Sequence, residues 1–113
     1  MPPKIARPPE VKGMTPVIET GCGKMYVTIN LLNGNPFEVF INIGKAGGCV
    51  SSQAEAIGRI ISLSLRSNIE PSEIIKQLKG ITCHQPKDGI LSCSDAIAKA
   101  LERCSNGNAG STE

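Results

Sequence analysis

The chain has 113 residues, a formal net charge of +2, two Phe, one Tyr and no Trp. So small a charge excess gives little grip on a nucleic-acid backbone or an anionic membrane, and three aromatic rings make no stacking platform for bases. No apolar run approaches the roughly 20 residues that span a bilayer and the N-terminus has no hydrophobic signal core, so a soluble, cytoplasmic, single-domain protein is expected.

Residues 1–14, MPPKIARPPEVKGM, are rich in proline and poor in apolar side chains, which predicts a flexible arm. From Thr15 to Thr20 the chain is expected to extend toward the first compact feature, Gly21-Cys22-Gly23, with glycines on both sides of a cysteine. Over Lys24–Leu32, Met25, Val27, Ile29 and Leu31 alternate with Tyr26, Thr28 and Asn30, the period of a strand with one buried face. Asn33-Gly34-Asn35 signals a tight turn, and Phe37–Ile43 reads as the returning strand. Phe40 interrupts its polar face, which suggests that this face is covered too. A hairpin over about 24–43 follows.

Three helices are expected next, over about 52–67, 71–79 and 94–103. Ser52 and Glu55 have capping-box spacing at the first, and Ala54, Ile57, Ile61 and Leu65 give it an apolar face, flanked by Ala56, Ile60 and Leu63. Gly58 lies inside that helix, where close approach of another backbone would explain it. Asn68 is placed to end the first helix, Pro71 to begin the second and Gly80 to stop it. Asp95 favours the N-terminus of the third. The fold class is α+β, with residues 15–104 as the domain and 105–113 as a disordered tail.

Five cysteines are many for this length, and an odd number in a chain without a signal peptide argues against a disulfide framework. Cys22, Cys49, Cys83 and Cys93 sit in loops beside glycine, proline or a helix start, whereas Cys104 ends the third helix and reads as ordinary buried packing. Cys49 and Cys93 precede helix N-termini, where N–H groups and the dipole favour thiolate, the form that binds zinc. Against a shared site stand the intervals of 27, 34 and 10 residues and the absence of any CxxC pair. Only the tertiary fold could join them. His84 is an alternative ligand to Cys83, and Cys83 with Cys93 is the nearest pair for thiol exchange. The loop Gly44–Gly48, with Lys45, Gly47 and Gly48 at a helix start, is a weak phosphate-site candidate because it lacks the GxxxxGK[ST] pattern. With His84 the sole histidine and no serine motif beside it, no hydrolytic triad is legible.

TGCGKMYVTIN (Thr20 to Asn30), NGNPFEVFINIGKAGGCVSSQAEAIGRIISLSLR (Asn33 to Arg66), IIKQLKGITC (Ile74 to Cys83) and SCSDAIAKAL (Ser92 to Leu101) together resemble the TSCPD domain. That family is found near the C-terminus of adenosylcobalamin-dependent (class II) ribonucleotide reductases and as small stand-alone proteins. Its name-giving motif is altered here to Leu91-Ser92-Cys93-Ser94-Asp95. The resemblance puts Cys22, Cys49, Cys83 and Cys93 on the family's cysteine positions. It implies a shared metal or redox site, zinc ahead of iron, in a cysteine-cluster accessory module for deoxyribonucleotide synthesis with ribonucleotide reductase as partner. A thiol redox accessory and a nucleotide- or phosphate-sensing module are the alternatives. The reductase's catalytic barrel, radical-forming cysteine and corrin surface do not fit in this chain, so catalysis by the chain alone and binding of cobalamin to it are not expected.

Overall fold

The computed structural model describes residues 4–44, 48–83 and 86–110, with backbone alone over 106–110. Four strands, β1 (Lys12–Met14), β2 (Val17–Thr20), β3 (Gly23–Leu32) and β4 (Asn35–Ile43), form one antiparallel sheet. The expected hairpin is its centre. Asn33 and Gly34 both take positive φ, 54° and 82°, the two-residue turn whose twist suits paired strands. β3 pairs with β4 on one side. On the other it pairs with β2 opposite Gly23–Tyr26 and with β1 opposite Ile29–Leu31. Pro16 lies between those two short strands, and its carbonyl accepts the Val27 N–H at 3.0 Å.

The sequence predicts neither short strand, and residues 4–14 differ from the free arm expected there. The Ile5 N–H donates to the Arg66 carbonyl at 2.8 Å, and the Arg7 guanidinium forks onto Glu38, Nε to Oε1 at 2.9 Å and Nη2 to Oε2 at 3.0 Å. Glu38 is only 2% exposed and also accepts the Asn30 amide at 2.7 Å. Burial pushes its carboxyl up, but the hydrogen bonds from Arg7 and Asn30 and the charges of Arg7 and Arg66 outweigh this and hold it below its ordinary value.

Three helices follow the sheet: α1 (Gly48–Arg66), α2 (Pro71–Leu78) and α3 (Cys93–Gly110). The chain is therefore α+β, as its pattern predicts. α1 begins earlier than Ser52, and no capping box forms: Ser52 Oγ donates back to the Cys49 carbonyl at 3.3 Å, and Glu55 pairs with Arg59 at 2.6 Å. Asn68 ends α1 with φ of 68°, and the Ile69 N–H reaches the Ser64 carbonyl at 2.9 Å, a Schellman-type closure. Gly80, with φ of 89°, follows α2. α3 starts one residue before the expected 94 and its backbone stays helical to Gly110, beyond the expected end at 103.

One core joins these layers. Met25, Val27 and Ile29 of β3 meet Val39 and Ile41 of β4, Ile61 and Leu65 of α1, and Ile97, Leu101 and Cys104 of α3. α1 buries Ala54, Gly58, Ile61 and Leu65, while Ile60 and Leu63 face outward. Gly58 is where α1 crosses β4: a Cβ there would stand 3.2 Å from the Val39 carbonyl oxygen. Close backbone approach accounts for that glycine. The sheet's other face carries Tyr26 and Phe40, both partly exposed, so the described residues do not bury Phe40 as expected. Among the described residues no helix is long and apolar enough to cross a membrane.

Candidate cysteine site

Cys22 occupies the tip of the β2–β3 turn, opposite the point where Thr20 pairs with Gly23. The Thr20 hydroxyl organises the turn. It accepts the N–H groups of Cys22 and Gly23, each at 3.1 Å, and donates to the Gly23 carbonyl at 2.7 Å. Gly23 takes φ of 140°, and a Cβ there would stand 2.7 Å from the Gly44 carbonyl oxygen, so glycine lets this turn lie against the end of β4.

Cys93 is set by a different device. It is the first residue of α3, and Ser92 before it caps the helix by accepting the Asp95 N–H at 3.0 Å and donating to the Ile81 carbonyl at 2.5 Å. The Asp95 carboxylate, 1% exposed, accepts the N–H groups of Gly80 at 2.9 Å and Leu91 at 3.0 Å and pairs with Lys99 at 2.8 Å. Burial raises its pKa, but those two backbone donors and the Lys99 ammonium outweigh burial and hold it below its ordinary value. Ser92 and Asp95 thus tie both ends of the 80–92 loop to the start of α3. Within that loop Asp88 and Gly89, at φ of 49° and 83°, make a second tight turn between Lys87 and Ile90. The Cys83 N–H donates to the Leu91 carbonyl at 3.0 Å, which fixes Cys83 beside Cys93.

Cys49 is the second residue of α1, inside its first turn rather than before it. The four cysteines line one pocket of about 400 Å³, walled by Val50, Ala54, Ile57 and Ile97. Cys49 and Cys83 are exposed there, whereas Cys22 and Cys93 are half-buried. The Thr20 hydroxyl also lies 3.8 Å from Cys93 Sγ, so one oxygen touches both the Cys22 turn and the Cys93 sulfur. Cys93 departs from the thiolate expected at a helix start. Burial pushes its thiol up, a hydrogen bond with Thr20 lowers it, and a hydrogen bond with Cys22 and the charges Cys22 and Cys83 would carry raise it further. Cys104 stands apart in the core, its thiol raised by burial, as ordinary packing predicts.

Among the described residues no group of three or more His, Cys, Asp or Glu side chains is arranged to hold a metal ion. His84, Lys45 and Gly47 lie outside the described residues, and Gly48 is the first residue of α1. Sequence reasoning missed Thr20, although its place just before Gly-Cys-Gly is that of a hydroxyl that folds a turn back on itself. It also missed the clamp made by Asp95, which from sequence alone looks like a helix-dipole residue.

These features define a small α+β domain that presents four cysteines from separate segments to one pocket. The TSCPD domain matches residues 1–105, and the chain belongs to that family. Comparison with curated proteins and with solved structures found no match.

Proposed function

We propose that this domain is a metal-stapled accessory module in which Cys22, Cys49, Cys83 and Cys93 hold one zinc ion, with iron as the second choice. The observation that supports it is their gathering around one pocket across sequence intervals of 27, 34 and 10 residues. The donor set suits the group, since four thiolates make a closed tetrahedral zinc site. Zinc would supply positive charge without redox chemistry and tie the loops together. The chain's own residues prepare for this. Thr20 holds the Cys22 turn, Ser92 and Asp95 hold Cys93, and the Leu91 carbonyl holds Cys83. The mutual repulsion that opposes ionisation at Cys93 is what a bound cation would relieve. His84 is the substitute ligand for one sulfur.

The link to ribonucleotide reductase, and so to deoxyribonucleotide supply, comes from where TSCPD domains occur. The module is proposed to act beside the reductase rather than in its place.

Adding zinc to metal-free, reduced protein is expected to raise its melting temperature with uptake of one equivalent. At free zinc a hundredfold above Kd the gain is about 2.7 kcal/mol. Cys22→Ser and Cys93→Ser should abolish the gain, and Cys104→Ser should keep it. A folded protein that takes up no zinc would contradict the proposal.

The Thr20 hydroxyl, which touches both the Cys22 turn and the Cys93 sulfur, favours one second reading, a dithiol that exchanges with a reductase disulfide. Cys22 and Cys93 would form one S–S bond, their two electrons and two protons converting the partner's disulfide to two thiols. Alkylation across a series of glutathione buffers tests this. Loss of two thiols mapping to Cys22 and Cys93 supports it, and five thiols that stay alkylatable throughout rule it out.

A further inference from the structure

We propose that the groove between α1 and the outer edge of β4 receives an extended, acidic segment of a partner protein as an added strand. Among the described residues β4 pairs with no strand but β3, and its other edge, covered by α1 at Val39, carries no strand beyond that point. The Gly44 N–H donates to the Lys24 carbonyl, so by alternation Asn42, Phe40 and Glu38 bond to β3. The main-chain groups of Val39, Ile41 and Ile43 therefore point outward. Ser62 of α1 already meets Val39 as a strand partner would: its hydroxyl accepts the Val39 N–H at 2.9 Å and donates to the Val39 carbonyl at 3.1 Å. Among the described residues nothing meets the corresponding groups of Ile41 and Ile43. A strand edge left open in this way is a template for another chain.

The groove there is about 860 Å³, and its lining includes Phe40 and Leu63, 51% and 49% exposed, which offer apolar anchor points. Its charge selects the occupant. Lys4, Arg7, Arg59 and Arg66 line it against Glu38 and Glu55, and both carboxylates are already paired, with Arg7 and Arg59. The positive excess left over disfavours a second copy of this chain, whose edge would bring the same cations face to face, and favours acidic side chains. The site is independent of the cysteines. Glu55, Gly58 and Ser62 face the groove, whereas Val50, Ala54 and Ile57 face the cysteine pocket on the other side of α1.

The test uses the full chain and three fluorescein-labelled octapeptides: alternating glutamate and valine, alternating lysine and valine, and the acidic peptide with its backbone N-methylated. The acidic peptide should bind about tenfold more tightly than the basic one, weaken with salt, and lose about tenfold in Arg59→Glu, an exposed position that leaves the core intact. N-methylation should abolish binding, and amide exchange should slow at Ile41 and Ile43. Equal or absent binding of the acidic and basic peptides, indifference to N-methylation, or protection confined to other residues would overturn the proposal. So would a concentration-dependent dimer whose contact protects this edge.

Discussion

Replacing Asp95 with Ala is expected to cost about 3 kcal/mol of folding stability, because it removes a buried carboxylate that accepts two part-buried backbone hydrogen bonds and pairs with Lys99. The carboxylate takes the N–H groups of Gly80 and Leu91, at the two ends of one loop, and the Lys99 ammonium as well. Denaturant unfolding measures the loss, and a change below about 0.5 kcal/mol, the range of ordinary surface substitutions, would show that the clamp is not what holds the loop. The same group gives a pH dependence of known sign. Its folded-state pKa lies below the unfolded value, so its contribution is complete above the unfolded pKa, about 3.9, and is lost as pH falls through the lower folded value. Asp95→Ala should therefore flatten part of the acid limb of the stability profile. Glu38, lowered by Arg7 and Asn30 against its burial, adds a slope of the same sign that the variant keeps.

Gly58→Val is the second change with a large expected effect, about 2–3 kcal/mol destabilising. Its Cβ would stand 3.2 Å from the Val39 carbonyl oxygen and 3.6 Å from Ile41 Cδ1, and its two methyl groups must then displace backbone or core. Gly58→Ala separates the two terms. Helix propensity favours alanine by up to about 1 kcal/mol, which offsets the tight contact and leaves a change near zero. Chemical denaturation of the pair checks this. If Val is tolerated as well as Ala, α1 does not press on β4 as described.

Gly58 was legible in the sequence as a point of backbone contact because a mid-helix glycine needs a reason. The β3–β4 hairpin was equally legible, since alternation and Asn33-Gly34 agree on it. β1 and β2 were not. They are three and four residues long and flanked by proline, and they become strands because β3 offers them an edge. Arg7 lay in a segment that composition marks as unstructured, yet its fork onto Glu38 makes one side of the groove. Ser52 and Glu55 matched a helix-start pattern, but Cys49, Val50 and Ser51 extend α1 backwards, and Glu55 pairs with Arg59 instead. Periodicity found the α1 stripe without showing that Ile60 and Leu63 at its margin would stay exposed.

For the cysteines, the sequence showed loop character and nothing about convergence. The intervals carry no local signal, and the four cysteines line one pocket because the β2–β3 turn, the α1 start and the clamped loop before α3 border it. Ser92 and Asp95 also place the altered family motif in physical terms: it is a helix cap that delivers Cys93 to that pocket.

X-ray absorption spectroscopy of the zinc-loaded protein tests the central claim most directly. The account predicts a shell of four sulfurs at about 2.3 Å, or three with one nitrogen where His84 replaces a cysteine. A shell dominated by oxygen and nitrogen, or one unchanged when Cys22 and Cys93 are both replaced by Ser, would contradict it.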